Sequence, residues 1–111
     1  MATQTTKSHI INASMNGILY GFVRDSSARN LCFQVEVRPN TGLPTGRFSL
    51  EGSIDGEIWH EVLNSRVNIV DGYCSELIEF PDPSSLMYRA KVEIDSAVDT
   101  VQADVWVAVR V

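Results

Sequence analysis

Residues 47–59, Arg-Phe-Ser-Leu-Glu-Gly-Ser-Ile-Asp-Gly-Glu-Ile-Trp, constrain the fold of this chain more than any other stretch. Phe48, Leu50, Gly52 and Ile54 alternate with Ser49, Glu51 and Ser53, which is the period of a strand with one buried face. Asp55-Gly56 then predicts a two-residue hairpin turn, because both residues tolerate positive φ. Ile58 and Trp59 open the returning strand. The stretch holds no nucleophile with a base, no metal-ligand set and no phosphate-binding loop, so it reads as scaffold.

The same period recurs along the chain. Leu31, Phe33, Val35 and Val37 alternate with Cys32, Gln34, Glu36 and Arg38. Leu86, Tyr88, Ala90, Val92 and Ile94 alternate with Met87, Arg89, Lys91 and Glu93, and Val101 to Val109 alternate with Gln102 to Arg110. Shorter strands are expected from Ile10-Ile11, over Ile18 to Arg24, at Val67 and Ile69, and over Tyr73 to Phe80. Gly21 within the second of these signals a bulge or a close backbone approach. Asn16-Gly17, Asp25-Ser26-Ser27, Asn64-Ser65, Asp71-Gly72 and Asp95 to Thr100 supply turns. Pro39 to Gly46 reads as an exposed loop. No stretch has the period of a three-turn amphipathic helix. Turn signals this frequent predict an all-β antiparallel β-sandwich, jelly-roll-like, of about eight strands. One domain is expected over residues 8–111, preceded by a flexible arm over residues 1–7 that holds no large apolar residue after Met1.

Charge and composition exclude several function classes. The 111 residues carry a net charge of −5. The nine Lys and Arg are scattered singly, so a nucleic-acid partner is not expected. No apolar run approaches the roughly 18 residues of a membrane-spanning helix, and no membrane partner is expected. Residues 1–8 lack the apolar core of a secretory signal, which fits synthesis in a cytoplasm. Cys32 and Cys74 can be read as an inter-strand disulfide or as two small buried thiols in a reducing compartment; the second reading is preferred.

Candidate chemistry is sparse. His9 and His60 have no neighbouring ligands or acids at useful spacing. Glu57 and Glu61, on one strand, would stand about 13 Å apart, too far for a glycosidase pair. Asp95 and Asp99 read as a solvated turn rather than a calcium loop. No enzyme activity, cofactor or metal is therefore expected. Trp59 is expected in the core. Trp106 lies on the phase opposite Val105 and Val107, so it is expected to face outward as an anchor for a partner.

Gly52-Ser53-Ile54-Asp55-Gly56-Glu57-Ile58-Trp59 resembles the G-S-x-D-G-x-x-W hairpin of small β-sandwich proteins of tailed-phage particles. Met87-Tyr88-Arg89-Ala90-Lys91-Val92 and the strand from Val101 to Val111 fill the places of the strands that follow it there. The resemblance covers Leu31 to Val111. It implies a capsid decoration (cement) protein on the virion surface, a homotrimer bound to the major capsid protein, or else a small tail or neck component. The hairpin also resembles that of discoidin-like and carbohydrate-binding sandwiches, although this chain is shorter and lacks their terminal cysteines. Expected contacts to capsid or neighbouring subunits are Thr3, Thr5 and Lys7 in the arm, Asn40 and Leu43 in the loop, Arg47, and Trp106.

Overall fold

The computed structural model describes residues 5–23, 30–81 and 87–110. Nine strands form two antiparallel sheets, with no helix among the described residues. The first sheet has the order β1 (Thr5–Met15), β9 (Val101–Arg110), β3 (Asn30–Pro39), β7 (Cys74–Pro81). The second has the order β2 (Gly17–Val23), β8 (Met87–Ile94), β4 (Gly46–Ser53), β5 (His60–Glu61). β6 (Val67–Ile69) pairs the other half of the same β4 edge: β5 lies beside Glu51 and Gly52, and β6 beside Gly46 to Phe48. Two short segments thus share one strand position. The result is two four-position sheets face to face in the order of a jelly roll.

Alternation places the core. Phe33, Val35, Val105 and Val107 of the first sheet and Phe48, Leu50, Ala90 and Val92 of the second are all buried. Each fully buried large apolar side chain contributes roughly 1.5–3 kcal/mol. Gly21 faces inward against β1: a Cβ there would meet the Ile10 carbonyl oxygen and the Ile11 Cγ1 at 2.6 Å. This is the close backbone approach that a glycine inside the β2 pattern signals. The register of β1 against β9 shifts between His9 and Ile11, so Ile10 sits in a bulge where the two sheets converge.

Three expectations are corrected. The flexible arm does not extend to Lys7: β1 starts at Thr5, and residues 5–7 pair with Arg110, Val109 and Ala108. An edge strand is held by backbone hydrogen bonds, which need no large apolar side chain, and Thr favours extended backbone. Second, Asp55-Gly56 is not a two-residue hairpin. Only Gly56 has positive φ (79°), and the connection from β4 to β5 runs from Ile54 to Trp59. Third, Trp59 is half-buried on the outer face of the second sheet rather than in the core, because this longer loop carries it there. Asp71-Gly72 does form the expected tight turn. Both residues have positive φ (53° and 79°), and Val70 and Tyr73 exchange hydrogen bonds of 3.1 and 2.9 Å. That turn joins β6 of one sheet to β7 of the other. The expected loop at Asp25-Ser26-Ser27 lies outside the described residues.

Ser65 ends the β5 connection as a buried plug. Its Oγ accepts from Leu50 N at 3.0 Å and donates to the Val62 carbonyl at 2.7 Å. Ser65→Ala would leave the buried Leu50 N–H without that partner, an expected loss of about 1–3 kcal/mol in a urea melt. An unchanged midpoint would contradict this role.

Cys32 and Cys74 are not joined in a disulfide. Cys32 lies half-buried opposite Glu79, and Cys74 is buried opposite Val37, so they sit far apart along the β3–β7 ladder. Burial, helped by the charges of Glu76 and Glu36, pushes the Cys74 thiol up to about 11. Thiolate is the reactive form. Alkylation of Cys74 at pH 8 is therefore expected to await unfolding; labelling as fast as that of a free thiol would refute this.

Candidate functional site

The outer face of the second sheet is built by one edge strand and one loop. In β2, Leu19, Gly21 and Val23 face the core side and Ile18, Tyr20 and Phe22 face outward, where all three are exposed. The register sets Phe22 beside Arg89 and Arg89 beside Glu51; Tyr20 neighbours Lys91, and Ile18 neighbours Glu93. An apolar strip thus borders a ladder of charges.

Arg89 is the hub of this face. Its Nε donates to Glu51 Oε1 at 2.7 Å, and the two side chains are only 15% and 13% exposed. Its guanidinium carbon lies 3.9 Å from the Tyr20 ring centroid and 4.3 Å from that of Trp59. Trp59 meets Phe22 edge to face at 5.9 Å. A planar cation among aromatic rings is favourable electrostatically and covers apolar area with its flat faces.

The loop that delivers Trp59 is organised by Asp55. Its Oδ1 accepts from Glu57 N (2.9 Å), Ile58 N (3.0 Å) and Ser53 Oγ (3.1 Å). Ser53 Oγ accepts from Gly56 N at 2.8 Å, and Trp59 Nε1 donates to the Gly56 carbonyl at 3.2 Å. An Asp side chain that captures the following N–H groups replaces the turn expected of Asp-Gly. Ile54 and Ile58 are left exposed, beside a shallow hollow of about 580 Å³ that His60 and Leu63 also line.

The N–H groups of Ile58 and Glu57 and the Ser53 hydroxyl hold the Asp55 carboxyl below its ordinary value of 3.8. With the folded value depressed, the unfolded chain binds more protons in that window. The contribution is complete above the unfolded value and is lost as pH falls through the folded one. Acidification below about pH 4 is thus expected to loosen the loop and change Trp59 fluorescence, read in a Trp106→Phe background. Asp55→Asn keeps an acceptor oxygen without a titrating group and should lack the step; an unchanged step would assign it elsewhere.

The outer face of the first sheet is mostly polar, with Leu77 exposed on it in the row of Trp106 and Gln34. His9 stacks on Trp106 with centroids 4.5 Å apart and planes 10° from parallel. His9 Nε2 donates to Asp104 Oδ1 at 2.9 Å. Gln102 donates to Asn12 at 3.2 Å, and Ser75 Oγ donates to Glu36 at 2.9 Å. Trp106 faces outward, as its phase predicts. Among the described residues no three His, Cys, Asp or Glu side chains converge.

The contact residues expected from sequence fall in different places. Thr3 lies outside the described residues. Thr5 pairs with Arg110 through its backbone, and Lys7 is exposed opposite Ala108, one step along the sheet from Trp106. Asn40 ties its loop to β1 and to the loop before β9, donating to Ser14 Oγ at 2.7 Å while its N–H donates to the Thr100 carbonyl at 3.0 Å. Leu43 is exposed near that end. Arg47 lies on the second sheet, engaged by Glu93 at 3.2 Å and Asp95 at 3.1 Å. Among the candidates whose side chains are described, Lys7 and Trp106 come together on one face. The apolar face around Arg89 was missed. Its one sequence signal is that β2 carries apolar residues on both phases, so one of them must face away from the core.

No protein-family model matches the chain, and no curated protein sequence matches it.

Proposed function

We propose that this chain is a structural protein of a tailed-phage particle, a homo-oligomer that decorates the capsid and bridges subunits of the major capsid protein. The observation that carries this reading is the pair of opposed outer faces with different chemistry. One is mostly polar, with Trp106 and the exposed Leu77; the other sets an apolar strip of Tyr20, Phe22 and Trp59 beside a ladder of charges. A bridging protein needs two contact surfaces, one for its own copies and one for the lattice beneath. Many equivalent lattice sites then add avidity to individually weak contacts. The jelly roll supports this by analogy only, since the same fold also serves lectins. The hairpin resemblance adds the phage context.

The test is co-sedimentation of the purified chain with tailed-phage heads stripped of minor proteins. Saturable binding at a fixed copy number, with greater heat resistance of the heads, is expected, and Trp106→Ala should weaken it at least tenfold. Free protein left at the top of every gradient would end the capsid reading. Binding to tails alone would move the chain to a tail or neck position.

A glycan-binding module is the second reading, favoured by the polar neighbours of Trp106. His9 already covers one face of that ring, which leaves a smaller platform for a sugar. Quenching or shift of Trp106 fluorescence by simple hexoses, lost in Trp106→Phe, would select it.

A further inference from the structure

We propose that Met87 is a redox-sensitive modification site. A peroxide converts its thioether to the sulfoxide, and the change releases the Trp59 loop that the thioether backs. This site is separate from the capsid role.

Access singles out the sulfur. Among the described residues the methionines are Met15 and Met87. Met15 belongs to the core and is 8% exposed, whereas Met87 is 44% exposed. Oxidation follows exposure, so a peroxide reaches Met87 first. The two thiols, Cys32 and Cys74, lie on the first sheet, away from this loop. In the reaction, the sulfur lone pair attacks one oxygen of hydrogen peroxide. The S–O bond forms as the O–O bond breaks, and the other oxygen leaves as water with both hydrogens. Sulfur gives up the two electrons that reduce the peroxide.

Position gives the reaction a consequence. Met87 opens β8 opposite Ser53, the last residue of β4. Ser53 Oγ accepts from Gly56 N and donates to Asp55, so Met87 stands at the root of the loop from Ile54 to Trp59. A Cβ on Gly56 would lie 3.1 Å from Met87 Sδ and 3.6 Å from its Cε. The thioether therefore fills the space that a side chain at position 56 would take. The Gly56 carbonyl in turn accepts from Trp59 Nε1, and Arg89, two residues along β8, lies against the Trp59 ring.

A thioether is soft and apolar and packs well against backbone. The sulfoxide adds a polar oxygen to the sulfur, which must reach water or a donor. Turning that oxygen to solvent swings the sulfur off Gly56; leaving it in place presses on the loop. In either case Gly56 loses its backing, and the Trp59 bond to it is disturbed. A sulfoxide reductase restores the thioether, so the change is reversible.

The test treats the full chain, in a Trp106→Phe background, with hydrogen peroxide. Oxidised residues are located by peptide mass while Trp59 emission is followed. Met87 sulfoxide is expected to form at least tenfold faster than Met15 sulfoxide. A red shift of Trp59 should grow in step with it and reverse with methionine sulfoxide reductase, while circular dichroism stays constant. Met87→Leu, which keeps the volume and stays apolar, should show no shift under the same treatment. Should Trp106→Phe fail to fold, hydrogen exchange of residues 54–59 in the wild-type chain reads the same release. Met87 sulfoxide with no change in the loop, a shift that persists in Met87→Leu, Met15 oxidised as fast as Met87, or unfolding of the whole chain would each overturn the proposal.

Discussion

Gly46→Ala is expected to lower folding stability by about 3 kcal/mol, a large part of the ~5–15 kcal/mol that a single domain holds in reserve. Gly46 opens β4 between Ile94 of β8 and Ile69 of β6. A Cβ at this position would run into the carbonyl oxygen of Glu93, with the Glu93 carbonyl carbon and the Ile94 Cα at 3.0 Å. All three are backbone atoms of a central strand, so no side chain can swing aside. Relief requires moving β4 away from β8, which disturbs the neighbouring Arg47 latch to Glu93 and Asp95. Urea denaturation is the measurement: the midpoint should fall sharply while the slope stays constant. A midpoint within error of wild type would mean that the two strands are not packed this tightly.

Glu51→Ala is expected to cost about 2 kcal/mol, and Arg89→Ala more. Removing one member of a buried ion pair typically costs 3–5 kcal/mol, because the survivor stays desolvated. Both side chains here keep a little contact with water, which lowers the figure. Arg89→Ala further removes the cation from the rings of Tyr20 and Trp59, worth about 0.5–2 kcal/mol. It should also release the Trp59 loop, seen as a red shift of tryptophan emission in a Trp106→Phe background. Arg89→Lys is expected to restore little, since an ammonium lacks the planar faces that lie against the two rings. The double variant should be less unstable than the sum of the singles, by about 1–2 kcal/mol in a double-mutant cycle. Strict additivity would show that the pair contributes nothing as a pair.

These two sites differ in how far the sequence exposes them. Arg89 is marked only by its place on the outward phase of a strong strand. Its pairing with Glu51 depends on β4 lying beside β8, and those strands are separated by the whole of β5, β6 and β7. The contact of Trp59 with Phe22 depends on Asp55 capturing N–H groups rather than turning the chain tightly. Both outcomes suit the dipeptide Asp-Gly, which obeyed the tight-turn rule at Asp71-Gly72 and broke it at Asp55-Gly56. At Asp71, strands arrive directly on both sides of the turn. At Asp55, the returning segment keeps only His60 and Glu61 in the sheet, so side-chain capping prevails over ladder formation.

The order of residues alone determined the class of the fold, because period two is a local property. It told which side chains of β3, β4, β8 and β9 enter the core, and it set Trp106 outward. It left β2 ambiguous, since both phases of Ile18 to Val23 are apolar, and it left residues 5–7 out of a strand, since backbone pairing makes no demand on their side chains. The tertiary structure decided which strands are neighbours: β1 beside β9, and β5 and β6 sharing one edge of β4. It thereby decided that the chain has two outer faces, one mostly polar around Trp106 and one with an apolar strip beside the charges around Arg89. Alternation states which face a residue occupies; only long-range pairing states what lies beside it.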